Sequence, residues 1–406
     1  PGSADAVLSP LLARRGSERA AFAFLVLGVA ASFALGVANV CLGLALAAIV
    51  AWRVSASRAG GDLLGPLRRV TPVHRPVAAF VGWTLLSIPF STLPARSALE
   101  IKGQLTFLLV PAAAALLRSA TDLRLLGALW RFSALYLALR GLAEFLGSGG
   151  GLDARIRAGL SIYMTYAGLL MVLVLVLLAR ALSAGGPRRS RVLDGSVAAL
   201  GILAIALTLT RNAYVGLAAG IVVLLLLVKP KGALLLVPLA IALWLAVPAS
   251  VQDRVRSAFG PVDESVRDRV AMWKAGRLMM RDHPLFGVGP GRVKEVYPDY
   301  RQPGYVLPVV GHLHSNVVMT AAETGLPSAA FYLWFVAAVL VGGVRRARSP
   351  GDDPVRPFAR GAVAAFVALF VAGLFEYNFG DVEILIPTLV LSVVPFMPGK
   401  PEASAE

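Results

Sequence analysis

The chain has 406 residues, of which 57% are hydrophobic and only 15% charged, against about 25% charged in average soluble domains. Its 39 Lys and Arg outnumber 23 Asp and Glu, for a formal charge of +16. The apolar content excludes disorder, and the single Cys41 excludes a disulfide scaffold. A soluble nucleic-acid binder is excluded too, because too few polar residues remain to cover a basic globule. What survives is an all-α polytopic membrane protein with its basic residues in the loops between apolar spans. Pro1-Gly2-Ser3 reads as a tag or cleavage scar.

A hydrocarbon core of about 30 Å takes about 20 residues of helix to cross. Twelve spans are predicted, at 20–36, 38–52, 76–93, 101–118, 123–146, 160–182, 192–209, 212–229, 232–249, 316–345, 357–376 and 383–398. The first two, parted by Gly36, suit a tight hairpin. The tenth is interrupted at Gly325-Leu326-Pro327, where a break shielded by protein is expected. The chain thus divides into residues 1–249 with nine spans, a loop at 250–315, and 316–406 with three spans and a tail.

Loop charges alternate as the positive-inside rule requires. Arg14, Arg15 and Arg19 precede span one, and Arg53, Arg58, Arg68, Arg69 and Arg75 follow span two. Further basic groups follow spans four, six, eight and ten, which puts these loops and both termini in the cytoplasm and accounts for much of the +16. The loop at 250–315 falls on the outer side, yet holds ten basic residues against seven acidic ones. Long loops translocate whatever their charge, so topology stands, but those outer arginines need another explanation.

Within that loop, Ser265 to Arg281 reads as an amphipathic helix on which Arg269, Trp273 and Arg277 recur at four-residue spacing and share a side. Such a helix either faces solvent and lipid headgroups or presents guanidinium forks to a phosphorylated ligand. His283-Pro284-Leu285-Phe286-Gly287-Val288-Gly289-Pro290-Gly291 reads as a compact structural turn, since no βαβ context makes it a dinucleotide site. The loop closes on Gly311-His312-Leu313-His314-Ser315-Asn316 at the mouth of span ten. A His-x-His pair invites a metal, but no Cys and no Asp or Glu stands at ligand spacing, so no metal site is expected. The functional alternative is a general base, which imidazole suits near neutrality; the plain one is an interfacial histidine capping a helix.

Two more outer positions carry arginines. Arg211, in Thr208-Leu209-Thr210-Arg211-Asn212, sits almost within the apolar pattern, where charge is expensive. Asp153, Arg155 and Arg157 lie at the outer start of span six, where snorkelling to lipid phosphate is the alternative to function.

The constellation resembles the O-antigen ligase and polymerase superfamily of bacterial envelopes. Three segments carry the likeness: Thr210-Arg211-Asn212-Ala213-Tyr214-Val215-Gly216; Arg269-Val270-Ala271-Met272-Trp273 with the Asp282–Gly291 turn; and His312-Leu313-His314-Ser315-Asn316 followed by Glu323-Thr324-Gly325-Leu326-Pro327. They fall mainly within 205–330. The family form has His-Asn adjacent, whereas here Ser315 takes that position and Asn316 follows it. The resemblance implies a GT-C-like glycosyltransferase of the inner membrane, facing the periplasm, that moves a glycan from undecaprenyl diphosphate without metal, nucleotide sugar or other cofactor. His314 would be the base, Arg211 and Arg269 would hold the donor diphosphate, and His312 and Arg157 would position substrate. The favoured acceptor is lipid A–core, whose phosphates suit the basic outer loop. A polymerase using a second lipid-linked repeat, and a transporter of lipid-linked sugars, are the alternatives. The partners implied are these lipids and the surrounding membrane, with no nucleic acid.

Overall fold

The computed structural model describes residues 3–149, 155–183, 186–231, 264–301 and 310–399, and every regular element among them is helical. Helix is how long apolar runs satisfy their backbone groups without water. In chain order the helices are α1 (Ser3–Leu12), α2 (Gly16–Ala30), α3 (Leu35–Arg58), α4 (His74–Ser87), α5 (Pro94–Ala98), α6 (Ile101–Gln104), α7 (Leu109–Leu116), α8 (Ala120–Gly147), α9 (Tyr163–Leu182), α10 (Arg188–Leu207), α11 (Arg211–Val228), α12 (Glu264–Asp282), α13 (Val293–Tyr300), α14 (Asn316–Thr324), α15 (Leu326–Ala347), α16 (Arg356–Ala372) and α17 (Val382–Val393).

Among the described residues, seven stretches are long and apolar enough to cross a membrane: α3, the run Pro94–Leu116, α8, α9, α10, α11 and α15. The other apolar helices fall short of the predicted spans, with 15 residues in α2, 14 in α4, 17 in α16 and 12 in α17. The first hairpin breaks at residues 31–34 rather than at Gly36, which the first turn of α3 absorbs. Pro94–Leu116 is helical only in pieces. Pro111 has no N–H to give Phe107, and the chain passes through a 3₁₀ turn at Leu105–Leu108. The span at 232–249 and the loop residues 250–263 lie outside the described residues.

Side-chain contacts gather the basic loops at one end of the bundle, as their alternation predicts. Arg14 pairs with Asp122 at 2.9 Å and Arg118 with Glu18 at 3.0 Å. Arg69 donates to the carbonyls of Leu117 and Phe396, and Arg346 to that of Met397. At the centre runs α9, buried continuously from Thr165 to Leu177 and packed by α8, α10, α11 and α16.

The predicted interruption is present: α14 stops at Thr324 and α15 starts at Leu326. The turn at 283–291 caps it. Val288 and Gly289 donate to the carbonyls of Ala322 and Glu323 at 2.9 and 2.8 Å, and Leu326 donates to Pro284 at 2.9 Å. Trp83 of α4 donates to the carbonyls of Leu285 and Thr324, both at 3.1 Å. A Cβ on Gly325 would lie 1.9 Å from the Leu285 carbonyl oxygen, on a backbone with φ +88°. Gly325→Ala is therefore expected to cost at least about 3 kcal/mol, combining left-handed strain with a backbone clash. Thermal unfolding of the detergent-solubilised variant measures this, and an unchanged midpoint contradicts it.

Helix lengths also set the depth of the site. The 22 residues of α15 extend about 33 Å and the 17 of α16 about 26 Å at 1.5 Å per residue. Arg360 near the start of α16 reaches the Ala347 carbonyl at the end of α15, so the end of α15 and the start of α16 are level at the basic end. The turn that follows α16, residues 373–381, accordingly lies in a recess at the opposite end.

Candidate active site

The recess is built on α14. Leu313, fully buried, anchors the loop before it, and Ser315 caps the helix, its hydroxyl accepting from the Val318 N–H. Between these two fixed points His314 is held at φ +47°, a left-handed conformation that costs a residue with a Cβ about 1–3 kcal/mol. Asn316 opens the helix and reaches across to the 373–381 turn. Its backbone N–H donates to Gly373 at 2.7 Å, its Nδ2 to Asn378 Oδ1 at 2.7 Å and to the Tyr332 hydroxyl at 3.1 Å, and its Oδ1 accepts from the Phe379 N–H at 3.0 Å. Gly373 permits the approach, for a Cβ there would fall 2.1 Å from Asn316 Nδ2.

That clamp sets Glu376 against the histidines. The carboxylate is only 3% exposed. Its Oε2 lies 2.9 Å from His314 Nδ1, its Oε1 faces His312 Nε2 at 3.6 Å, and Oε1 also accepts from the Tyr377 N–H at 3.1 Å. The imidazole rings meet edge to face, 4.3 Å apart, and the His314 N–H points at His312 Nδ1 across 3.3 Å. Burial pushes the Glu376 carboxyl up, but the hydrogen bond and charge of His314, the charge of His312 and the Tyr377 N–H outweigh it and leave Glu376 below its ordinary value. It is a carboxylate at neutral pH. Burial lowers His312; Glu376 pulls it back up, and His314 and Arg269 push it further down.

The helix predicted at 265–281 is α12, at Glu264–Asp282. Its Met272, Ala275 and Met279 are buried against Leu313 and Met319. Arg269 and Trp273 form one flank: Trp273 packs 6.2 Å from the Phe375 ring, and the charge of Arg269 is felt at His312. Arg269 is half-buried, and among the described residues no carboxylate pairs with it. Arg277 does not share that flank. It is exposed, because eight residues drift about 80° around a helix of 3.6 residues per turn.

Arg211 starts α11 at the same end. The next turn of α11 packs on the last turn of α16, where a Cβ on Gly216 would lie 3.0 Å from Ala372. Arg211 itself is exposed. Arg157 is exposed as well. Its N–H and that of Ala158 donate to the Glu144 carboxylate at 3.2 and 2.7 Å, and its turn precedes α9, whose Thr165 donates to Asp381 at 2.8 Å. Arg157 thus shares the end of the bundle but not the contacts of the His pair. Arg155 lies over the Tyr163 ring at 4.5 Å, a cation–π contact that occupies it. Asp153 lies outside the described residues.

Among the described residues, three non-glycine positions have positive φ: Ala158, Leu209 and His314. Each is, or lies within two residues of, a candidate: Arg157, Arg211 and His314. Strain of this kind gathers at functional sites.

Sequence reasoning missed Glu376. Its signal was an acid directly after a long apolar run, where charge is expensive, but the predicted span at 357–376 absorbed it, whereas α16 ends at Ala372. The expectation of no metal rested on the lack of a carboxylate at ligand spacing. Folding supplies one from 62 residues away, and donor atoms of His312, His314 and Glu376 lie within 4.8 Å of one another. That premise fails in three dimensions.

Residues 196–333 match the family model described as O-Antigen ligase. The matched third of the chain contains Arg211, α12, the glycine turn and His314, so the likeness read from those motifs is borne out for that stretch as the O-antigen ligase/polymerase superfamily. It points to a glycosyltransferase-like enzyme of lipopolysaccharide synthesis on membrane-spanning helices. No curated protein matches the chain.

Proposed function

We propose that the protein is an O-antigen ligase of the bacterial inner membrane, with twelve spans and the recess opening to the periplasm. It transfers a glycan from undecaprenyl diphosphate to lipid A–core without a metal or other cofactor. His314 takes the proton of the acceptor hydroxyl as that oxygen bonds to the anomeric carbon. The bond from that carbon to the diphosphate oxygen breaks, and its electron pair leaves with the diphosphate. Arg269 and Arg211 bind the departing charge, Arg269 directly and Arg211 from its place at the same end, while His312 and Arg157 position substrate. The observation that carries this reading is a histidine hydrogen-bonded to a buried carboxylate beside a half-buried arginine that pairs with no acid among the described residues. A ligase is favoured over a polymerase because Arg267, Lys274, Arg277 and Arg281 stand exposed along the outer face of α12. That face suits a phosphorylated acceptor.

Purified protein with lipid-linked glycan tests this, offered either lipid A–core or a second lipid-linked repeat. Transfer to lipid A–core is expected, unchanged by EDTA. Arg269→Ala is expected to lower kcat/KM for the donor by about 10²-fold, the worth of one or two charge-assisted bonds to phosphate. Loss of activity on chelation overturns the metal-free chemistry, and extension of the second repeat alone moves the protein to the polymerases. Movement of a labelled lipid-linked sugar across vesicles without covalent transfer makes it a transporter.

A further inference from the structure

We infer that Glu376 is the positioning residue that holds the proton of His314 on Nδ1 and so leaves Nε2 as the basic atom, with His312 locking the carboxylate in place. The inference deepens the reading of His314 as base and rests on it. Glu376 offers only acceptor oxygens as a carboxylate, so the 2.9 Å contact to His314 Nδ1 requires the ring to donate there. A neutral imidazole that donates at Nδ1 carries its lone pair at Nε2. The same logic fixes His312. Its Nδ1 accepts from the His314 backbone N–H, so its proton sits on Nε2, which faces Glu376 Oε1 at 3.6 Å.

Two hydrogen bonds and one longer polar contact therefore close a ring: the His314 backbone donates to His312, the His314 side chain donates to one oxygen of Glu376, and His312 Nε2 faces the other oxygen at 3.6 Å, beyond hydrogen-bond distance. The left-handed backbone of His314 is what aims its N–H at His312 while its own ring reaches the carboxylate. Burial keeps water from competing for Glu376, and the Tyr377 N–H takes a further site on Oε1. When His314 Nε2 gains the acceptor proton, the imidazolium is stabilised by the carboxylate already on Nδ1. Glu376 keeps its own charge throughout and touches no reacting atom.

Glu376→Gln separates this role from simple packing. The amide is the same size, and turning its NH₂ toward Nδ1 makes that atom an acceptor, which moves the ring proton to Nε2 and removes the base. The expected result is a fall in kcat of about 10²–10⁴-fold, as for loss of general-base catalysis, with KM for the lipid-linked donor changed by less than about threefold. Glu376→Asp, which keeps the charge, is expected to recover part of the loss. Combined with His314→Ala, Glu376→Gln is expected to add nothing, because the two act as one unit. Ring-nitrogen ¹⁵N shifts of His314 give a readout independent of turnover: Nδ1–H in the wild type and Nε2–H in Glu376→Gln. An Nε2–H tautomer in the wild type, or a Glu376→Gln variant with undiminished kcat, overturns the inference. If His314→Ala is itself fully active while the wild-type ring shows Nδ1–H, the base assignment fails and the positioning geometry stands.

Discussion

His314→Ala is expected to lower the transfer rate by about 10²–10⁴-fold, the usual share of a general base, with donor binding largely kept because the arginines remain. Alanine alone does not isolate the chemistry, since His314 also occupies a left-handed backbone at φ +47°. Two further variants do. Asparagine tolerates that conformation better than most residues and has no basic atom. Glycine adopts it without strain, which offsets part of the cost of leaving the buried Glu376 carboxylate without its ring partner. Both are expected to be as inactive as alanine, while thermal unfolding orders them glycine, asparagine, alanine. Turnover of His314→Asn within about threefold of wild type would show that the position matters for backbone shape, not for proton transfer.

The parts legible in sequence are those fixed by neighbours along the chain. Apolar runs gave the helices, Gly325-Leu326-Pro327 marked the break, and the pattern at 265–281 became α12. The His312-Leu313-His314 motif was visible because a buried leucine and a capping serine act within a few residues. Two features escaped because they depend on contacts between distant segments. The end of α16 could not be read, since Leu374 and Phe375 continue its apolar run and the helix stops where Gly373 meets Asn316. Glu376 was hidden for the same reason, its place being set by a side chain more than fifty residues earlier, as the pairs Asn316–Asn378 and His314–Glu376 are each 62 apart. The four-residue rhythm of Arg269, Trp273 and Arg277 was right over one step and wrong over two, because helical drift accumulates.

Asn316 is the residue through which the fold makes the site, and its replacement should damage both. In Asn316→Ala the Phe379 N–H and Asn378 Oδ1 lose partners beneath the recess, where Asn316, Asn378 and Tyr332 are buried, and the Tyr332 hydroxyl loses its donor. Each buried group left unsatisfied costs about 1–3 kcal/mol, and because the three share one side chain their sum is smaller than the parts, about 2–5 kcal/mol. The cost falls on the 373–381 turn, so Glu376 is released from His314 as well. Transfer is therefore expected to drop about as far as in Glu376→Gln, but with a lowered unfolding midpoint that Glu376→Gln does not share. Asn316→Asp sharpens the contrast. It still accepts from Phe379, yet it sets a carboxylate oxygen against Asn378 Oδ1 and buries a charge with no cation among its partners, so it should be less stable than alanine. Should Asn316→Ala unfold at the wild-type temperature and still transfer glycan, the clamp is incidental and some other contact must bring Glu376 to the histidine. Should it unfold early yet keep its rate, the turn survives without its staple, and only the stabilising half of the clamp is correct.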